Sequence, residues 1–322
     1  MILERLVQSV YRNELYKRKD NPLGIFHFGP QDFPGLKTQS YIFSSKQGQV
    51  LTGYFYYYEN PIADRLLVFD HGMGNGHRAY MREIEILAKA GFLVFSYDHT
   101  GCMESGGEGT NGLAQSLSDL DDCLNALRYH NLSADRSVSV IGHSWGGFST
   151  MNICALHPEI THIVSMCGFL SVEQMINQIF RGFLKGYRNS MLQLERSTNP
   201  NYAGFHAADS LENTDAKVLL IYCDNDPTVK KRFHYTVLRK ALAGKDNIQF
   251  LLLHGKEHNP TYTLDAVKYK KEFFTKLQQQ QKKDPLRTNQ QKQDFMSQFD
   301  WYRMTAQDET VWTAILDALK AE

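Results

Sequence analysis

Ser144 lies between glycines in the segment GHSWGG, residues 142–147, where a series of β-branched residues ends and helical spacing begins. A G-x-S-x-G pattern at a strand-to-helix turn is typical of a nucleophilic serine, because the glycines permit the cramped backbone that exposes the hydroxyl. An ordinary tight turn is the alternative interpretation. The nucleophile hypothesis therefore depends on whether the rest of the chain supplies the partners that a serine needs.

Those partners are an imidazole that accepts the serine proton and a carboxylate that orients the imidazole. In a parallel sheet the carboxyl ends of the strands share one edge, where ligands bind. Asp224 and Asp226 follow the strand-like segment KVLLIYC, and His254 and His258 follow the segment IQFLLL. The chain order Ser, Asp, His is that of the G-x-S-x-G hydrolases. Turn formation before Pro227 and ordinary loop histidines remain the alternative interpretations.

Backbone N–H groups must also bind the negative oxygen of the tetrahedral intermediate. The residue after the nucleophile, Trp145, supplies one such group. The second is expected from the glycine-rich turn HGMGNGH, residues 71–77, which follows the strand-like segment RLLVFD. Glycines allow close backbone approach there, and the N–H of Met73 is the predicted donor.

The same glycine turn suggests a rival function, because Asp98 ends the next strand about twenty residues later, as in a dinucleotide-binding βαβ unit. The spacing is G-x-G-x-G, however, and His77 stands where the third glycine of G-x-G-x-x-G belongs. The histidines form no helical H-x-x-x-H pair and no H-x-H-x-D segment, so we expect no metal. Cys102 follows a strand but has no clear histidine partner as a nucleophile.

Composition narrows the class of protein further. The chain has 322 residues, 42% of them hydrophobic, with 35 basic and 35 acidic side chains and a formal net charge of zero. This balance argues against nucleic acid or an anionic membrane as the main partner. Five separated cysteines without a C-x-x-C pair argue against a disulfide framework or a zinc site. The charged amphipathic start and the lack of a long apolar segment predict a cytoplasmic protein without stable membrane insertion.

The elements that must position these residues alternate between strands and helices. KTQSYIFSS and QVLTGYFYYY predict an antiparallel hairpin, and six continuously apolar strands follow. The apolar strands are predicted at 65–70, 92–98, 137–142, 162–168, 217–223 and 248–253, and helices at 79–90, 114–130, 148–157 and 229–243. This alternation predicts a doubly wound α/β sheet with helices on both faces.

One long connection, residues 170–213, separates the sixth strand from the seventh. Its apolar residues recur at helical spacing, which predicts either a helix packed on the main core or a cap that contacts substrate. These residues are Met175, Ile176, Ile179, Phe180, Phe183 and Leu184.

Taken together, the motifs resemble the α/β-hydrolase superfamily, and within it the branch of monoacylglycerol lipase-like esterases and serine aminopeptidases. The resemblance covers roughly residues 41–276. It implies an α/β-hydrolase fold with a mostly parallel eight-stranded sheet, whose core at 37–169 and 214–279 is interrupted by a small helical cap at 170–213. An N-terminal helical segment, 1–36, and a C-terminal helical extension, 280–322, flank this core.

The resemblance also assigns the site. The family's acid loop commonly reads G-x-x-D-x-x-V, and Cys223 stands in the glycine position, so the match falls on Asp226 rather than Asp224. The histidine loop G-x-x-H fits residues 255–258 and selects His258.

These residues lead to an expected function. We expect a serine hydrolase that cleaves small-molecule acyl esters without a cofactor. Ser144 would attack, His258 would carry the proton and Asp226 would orient the imidazole, while Met73 and Trp145 bind the oxyanion. A peptidase or amidase with the same triad, or a catalytically silent binding protein on this fold, is the alternative.

Overall fold

A single sheet of eight strands organises the chain in the computed structural model, which describes residues 2–21, 23–59, 61–62, 64–74 and 76–321. The strand order is β1-β2-β4-β3-β5-β6-β7-β8. The strands are β1 (Lys37–Ser44), β2 (Val50–Tyr57), β3 (Arg65–Asp70), β4 (Leu93–Tyr97), β5 (Ser137–His143), β6 (His162–Met166), β7 (Lys217–Cys223) and β8 (Ile248–Leu253). The pairs β1–β2 and β2–β4 are antiparallel and the other neighbours are parallel. The predicted fold class, a mostly parallel eight-stranded α/β sheet, is therefore confirmed.

Twelve α-helices lie within the described ranges. They are α1 (Ile2–Leu15), α2 (Met81–Lys89), α3 (Gln115–Tyr129), α4 (Trp145–Asn152), α5 (Val172–Ile179), α6 (Arg188–Thr198), α7 (Ala207–Glu212), α8 (Tyr235–Ala241), α9 (Leu264–Lys283), α10 (Asn289–Met296), α11 (Trp301–Met304) and α12 (Glu309–Lys320). Short 3-10 helices occur at Pro30–Asp32, His77–Tyr80, Ile153–Ala155 and Gly182–Tyr187. None of the described helices is long and apolar enough to cross a membrane.

Helices cover both faces of the sheet, and strand β3 shows why its sequence is continuously apolar. Leu66 and Val68 belong to the core cluster that contains α3 and α4 residues, whereas Leu67 and Phe69 belong to the cluster that contains α2 and α12 residues. Successive side chains of a strand point to opposite faces, so both sets are fully buried. Burying each of them stabilises the fold by about 2 kcal/mol relative to exposure.

Several predicted elements differ from the observed ones in their bounds. The helix predicted at 148–157 begins earlier, at Trp145, and ends at Asn152, where a 3-10 helix, Ile153–Ala155, follows. The sixth strand ends at Met166 rather than at residue 168, because Cys167 has a φ of 49° that extended backbone does not adopt. The helix predicted at 229–243 covers only Tyr235–Ala241. The residues before it instead form a loop whose backbone N–H groups bind side chains, with the N–H of Val229 donated to Asp226 and that of Lys230 to Gln178. Hydrogen bonding to these side chains takes the place of a helical turn.

Helices α5, α6 and α7 lie in the segment between β6 and β7. The N-terminal helix α1 packs against α6. The Tyr11 hydroxyl on α1 donates to Glu195 Oε1 on α6 at 2.7 Å, and both side chains are buried. Of the apolar residues in this segment, Ile176 and Phe180 are buried, whereas Phe183 is 92% exposed. Some of the apolar residues in this segment thus pack in the core, whereas others are exposed to solvent.

Candidate active site

Ser144 occupies the junction between β5 and α4 with a φ of 57° and a ψ of −108°, a conformation that non-glycine residues rarely adopt. The neighbouring glycines are needed for close packing. A Cβ on Gly142 would lie 2.4 Å from the carbonyl oxygen of Gly146, and one on Gly146 would lie 2.1 Å from that of Asp70. The junction therefore combines a strained serine backbone with two glycines that let α4 press against β3 and β5. Strain of this kind is typical of functional sites.

Asp226 and His258 form a hydrogen-bonded pair, as the sequence predicts for an acid and a base. His258 Nδ1 lies 2.6 Å from Asp226 Oδ2. The other carboxylate oxygen accepts backbone N–H groups from Thr228 at 2.7 Å and Val229 at 2.9 Å. The Asp226 side chain is fully buried, whereas that of His258 is 20% exposed. Both oxygens of the acid are thus held in place, and the imidazole alone reaches the surface.

The other aspartate and histidine of the same loops form a second, separate pair. His254 Nδ1 lies 2.7 Å from Asp224 Oδ2, and the His254 side chain is 82% exposed. The hydrogen bond from His254 lowers the pKa of Asp224. The structure therefore pairs Asp224 with His254 and Asp226 with His258, and only the latter pair has a fully buried carboxylate.

Ser144, Met73 and Trp145 line one cavity of about 390 Å³. The walls are mainly apolar, and the polar contributions come from the serine, Gln178, Thr228 and Lys230. The apolar wall comprises Leu15, Met73, Leu113, Trp145, Phe169, Met175, Ile179 and Pro227. Both predicted oxyanion donors are therefore brought next to the predicted nucleophile. Met175 and Ile179 belong to α5, so the segment between β6 and β7 does contribute to the cavity.

The turn that contains Met73 is held by the side chain of His71, to which sequence analysis gave no role. His71 Nε2 accepts the N–H of His99 at 3.0 Å, so its Nδ1 carries the proton and donates to the carbonyl of Gly72 at 2.7 Å. Burial, with the charge of His99 nearby, lowers the pKa of His71 to about 3 and keeps it neutral. In a planar trans peptide the N–H points away from the preceding C=O, so His71 also sets the direction of the Met73 N–H.

A second histidine links this turn to His258. The Nε2 of His143, the residue before Ser144, donates to the carbonyl of His258 at 3.0 Å. Its Nδ1 must then accept, and it lies 2.8 Å from the Tyr80 hydroxyl, which itself accepts the N–H of Gly72 at 3.2 Å. Burial lowers the pKa of His143 well below its ordinary value, which favours this neutral form. One chain of hydrogen bonds thus joins the glycine turn, the serine loop and the histidine loop.

A buried charged cluster lies beneath the start of α4. His99 Nε2 lies 2.9 Å from Asp70 Oδ1, and His99 Nδ1 lies 3.2 Å from Asp119 Oδ2. Burial disfavours the imidazolium, but the two carboxylates outweigh it and raise the pKa of His99 to about 10. Ser149 donates to Asp70, and the His99 and Trp145 ring centroids are 4.8 Å apart. The cluster therefore supports the loop around Ser144 from below. Its members lie too far apart in the chain for a sequence motif.

Cys167 is a further neighbour that sequence analysis missed. The Cys167 sulfur lies close to the Asp226 carboxylate and the His258 imidazole, and the three possible ligand atoms are within 4.8 Å of one another. Among the described residues these three side chains form a group that could in principle hold a metal ion. Burial, followed by the nearby Cys223 thiol, raises the pKa of Cys167 well above its ordinary value. Cys167 is therefore a neutral thiol beside Asp226. Asp226 and His258 already form a hydrogen bond with each other.

The residues of the rival hypotheses have other roles. Asp98 is buried, and its carboxylate binds His77 twice. It accepts the backbone N–H of His77 at 2.9 Å and lies 2.8 Å from Nδ1 of the His77 ring. An aspartate that binds a ribose hydroxyl must face the ligand, so this contact argues against a dinucleotide site. Burial raises the pKa of the Cys102 thiol, which makes Cys102 a poor nucleophile.

The C-terminal extension contacts the histidine loop from behind. Lys256, two residues before His258, is 5% exposed, and its ammonium donates to Asp308 Oδ2 at 2.6 Å and to the Tyr262 carbonyl at 2.7 Å. The Asp308 N–H donates to the carbonyl of Thr261 at 2.7 Å. These contacts attach the start of α12 to the loop that carries the predicted base.

Replacing Lys256 with methionine is expected to lower the free energy of unfolding by about 1–3 kcal/mol, because the half-buried Asp308 carboxylate and the Tyr262 carbonyl lose their donor. It should also lower kcat/KM, since the His258 loop loses its attachment. Urea denaturation and ester hydrolysis measure the two effects. Lys271→Met is the matched control, because Lys271 pairs with Glu257 of the same loop at 3.1 Å but is 71% exposed. Equal losses in the two variants would refute the special role of the buried pair.

Comparison with known proteins places this geometry in a family. The family model described as serine aminopeptidase, S33, matches residues 61–283. None of the curated protein sequences compared with the chain is similar to it.

Solved structures with the same fold are distant in sequence. The esterase Pf2001 of Pyrococcus furiosus is 17% identical, with a TM-score of 0.58 over 80% of this chain and 96% of that one. The α/β hydrolase GrgF of Penicillium sp. sh18 is 15% identical, with a TM-score of 0.51 over 84% of this chain and 99% of that one. At this level of identity the likeness establishes the fold alone. With the family match across most of its length, the chain belongs to the serine aminopeptidase S33 family of α/β-hydrolases.

Proposed function

We propose that this chain is a serine hydrolase that cleaves carboxylic esters through Ser144, His258 and Asp226. One observation carries the proposal: Ser144 has the strained backbone of an exposed nucleophile and lines a cavity together with Met73 and Trp145. The pair of His258 and Asp226 adjoins the same turn, because the rings of His258 and His143 have centroids 4.7 Å apart.

In the proposed reaction, His258 accepts the hydroxyl proton while the Ser144 oxygen attacks the ester carbonyl carbon. The N–H groups of Met73 and Trp145 bind the oxygen that becomes negative. His258 then gives its proton to the departing alkoxide, which leaves an acyl group on Ser144. A water molecule, deprotonated by His258, hydrolyses this acyl-enzyme. Asp226 stabilises the imidazolium in both halves of the reaction and keeps the proton on Nδ1.

A peptidase with the same triad is the second candidate, and the family's description as aminopeptidases favours it. An aminopeptidase must hold the protonated amino terminus of its substrate, for which a carboxylate is the ordinary partner. Among the described residues that line the cavity none carries a carboxylate, and Lys230 adds a positive charge. The described lining of the cavity therefore offers no carboxylate partner to an ammonium group of the substrate. This electrostatic argument supports the ester over the aminoacyl amide.

The function is tested with a fluorophosphonate probe and two matched substrate series. We expect the probe to label Ser144, identified by mass spectrometry, and we expect p-nitrophenyl acyl esters to be hydrolysed while aminoacyl p-nitroanilides are not. Hydrolysis of the anilides that is lost in Ser144→Ala would establish the peptidase instead. Absence of both labelling and turnover in a correctly folded sample would mean that the protein is a silent binding protein.

A further inference from the structure

The loop that follows the predicted acid is held rigidly against the wall of the Ser144 cavity. Asp226 Oδ1 accepts the N–H groups of Thr228 and Val229. Gln178 on α5, which is buried, accepts the N–H of Lys230 at 2.8 Å through its Oε1 and donates to the carbonyl of Thr228 at 2.7 Å through its Nε2. These four hydrogen bonds fix the backbone at Lys230, and residue 230 lines the cavity.

Lys230 brings a positive charge that the described part of the chain does not neutralise. It is half-buried, and its ammonium forms neither an ion pair nor a hydrogen bond with another described residue. The carboxylate closest in the chain, Asp226, already accepts three hydrogen bonds and is fully buried. The rest of the wall is mainly apolar. Beside an apolar wall an ammonium attracts an anion more strongly than it does in bulk water.

We infer that the substrate carries a carboxylate or a similar anionic group that pairs with Lys230 while its ester carbonyl lies at Ser144. The inference rests on the proposed function and specifies its substrate class: a short acyl ester with a negative charge, rather than a neutral lipid ester. The cavity volume of about 390 Å³ is near the lower end for small-molecule sites, so the anion lies only a short chain away from the carbonyl. The charge belongs either to the acyl part or to the alcohol part of the ester.

Two pairs of substrates test the inference and distinguish these sources. The acyl pair is p-nitrophenyl hemiglutarate and its neutral counterpart p-nitrophenyl pentanoate; the alcohol pair is 4-carboxyphenyl butyrate and 4-methylphenyl butyrate. The measured quantity is the ratio of kcat/KM for the anionic ester to that for the neutral one, after each kcat/KM has been divided by the rate constant for non-enzymatic hydrolysis of the same ester. We expect this ratio to exceed one in at least one pair, and the pair in which it does identifies the side that bears the charge.

Substitution of Lys230 should remove this preference. Lys230→Gln is expected to lower the ratio about tenfold, which corresponds to about 1.4 kcal/mol, and Lys230→Glu should bring it below one. Lys231→Gln is the matched control, because the neighbouring lysine is also half-buried but does not line the cavity. In the unmodified protein, added salt should reduce the ratio as it screens the ion pair, which tests the inference without any variant.

A ratio at or below one in both pairs, or a ratio that Lys230→Gln leaves unchanged, would overturn the inference. Loss of the preference in the Lys231→Gln variant as well would also overturn it, because a general basic surface would then be responsible. These results leave the hydrolase proposal standing as long as the neutral esters are hydrolysed. Failure of the proposed function has a different signature, namely that no ester of either pair is turned over.

Discussion

Replacing Ser144 with alanine is expected to lower kcat for p-nitrophenyl butyrate by about 10⁶-fold, the scale on which removal of a triad nucleophile acts. Without the hydroxyl no acyl-enzyme forms, and water must attack the carbonyl directly. We expect the remaining activity to come from the predicted oxyanion donors, the Met73 and Trp145 N–H groups, and from binding in the cavity.

The variant should nevertheless fold. Alanine keeps a Cβ, so the strained φ of 57° is neither relieved nor worsened by the substitution. The N–H of residue 144 still donates to the Met166 carbonyl at 2.8 Å, because that hydrogen bond uses the backbone. We therefore expect an unchanged Tm in circular dichroism and loss of labelling by the fluorophosphonate probe. Turnover close to that of the unmodified protein would refute Ser144 as the nucleophile.

Replacing Asp226 with asparagine is expected to lower kcat by about 10⁴-fold. An amide cannot stabilise the imidazolium form of His258, and it does not hold the Nδ1 proton in place. The Oδ1 contacts with Thr228 and Val229 require only an acceptor, and the asparagine carbonyl preserves them. The effect should therefore appear in kcat with little change in Tm, measured by ester hydrolysis and thermal denaturation.

Asp224→Asn is the matched control for this prediction. Asp224 lies two residues away and also pairs with a histidine, but that histidine is largely exposed. Its substitution should leave kcat near that of the unmodified protein. The opposite result, inactivation by Asp224→Asn and activity in Asp226→Asn, would transfer the role of the acid to Asp224 and leave the nucleophile unaffected.

Much of the fold follows from local patterns in the chain. The predicted hairpin and the strand at 65–70 match β1–β2 and β3. Burial alternates along most of β2 and is continuous from Leu66 to Asp70 in β3, so these patterns reflect which faces of each strand are covered. The helix expected at 114–130 matches α3 within one residue at each end. The prediction at 229–243 was too long, because Asp226 and Gln178 bind the backbone N–H groups at the start of that segment.

In the candidate site, too, some features could be predicted from the sequence and others required the structure. Sequence spacing indicated Ser144, Met73 and Trp145, and the structure gathers all three around one cavity. Each lies in or beside a glycine-containing turn, so the backbone conformation at these residues is largely a local property. The choice between two aspartates rested on a family resemblance, and the structure distinguishes them by burial and by partner.

By itself, the sequence determined the alternation of strands and helices, the strained turn at Ser144 and the order of serine, aspartate and histidine. These properties depend on the residues within one turn or strand. Tertiary structure alone decided which distant side chains form hydrogen bonds. Tyr80 and His143 are 63 residues apart in the chain, and Lys256 and Asp308 are 52 residues apart. The tertiary structure also decided that Lys230 stands without a described partner beside the cavity. Such contacts depend on how separate elements pack, and packing brings together residues whose spacing in the chain carries no signal.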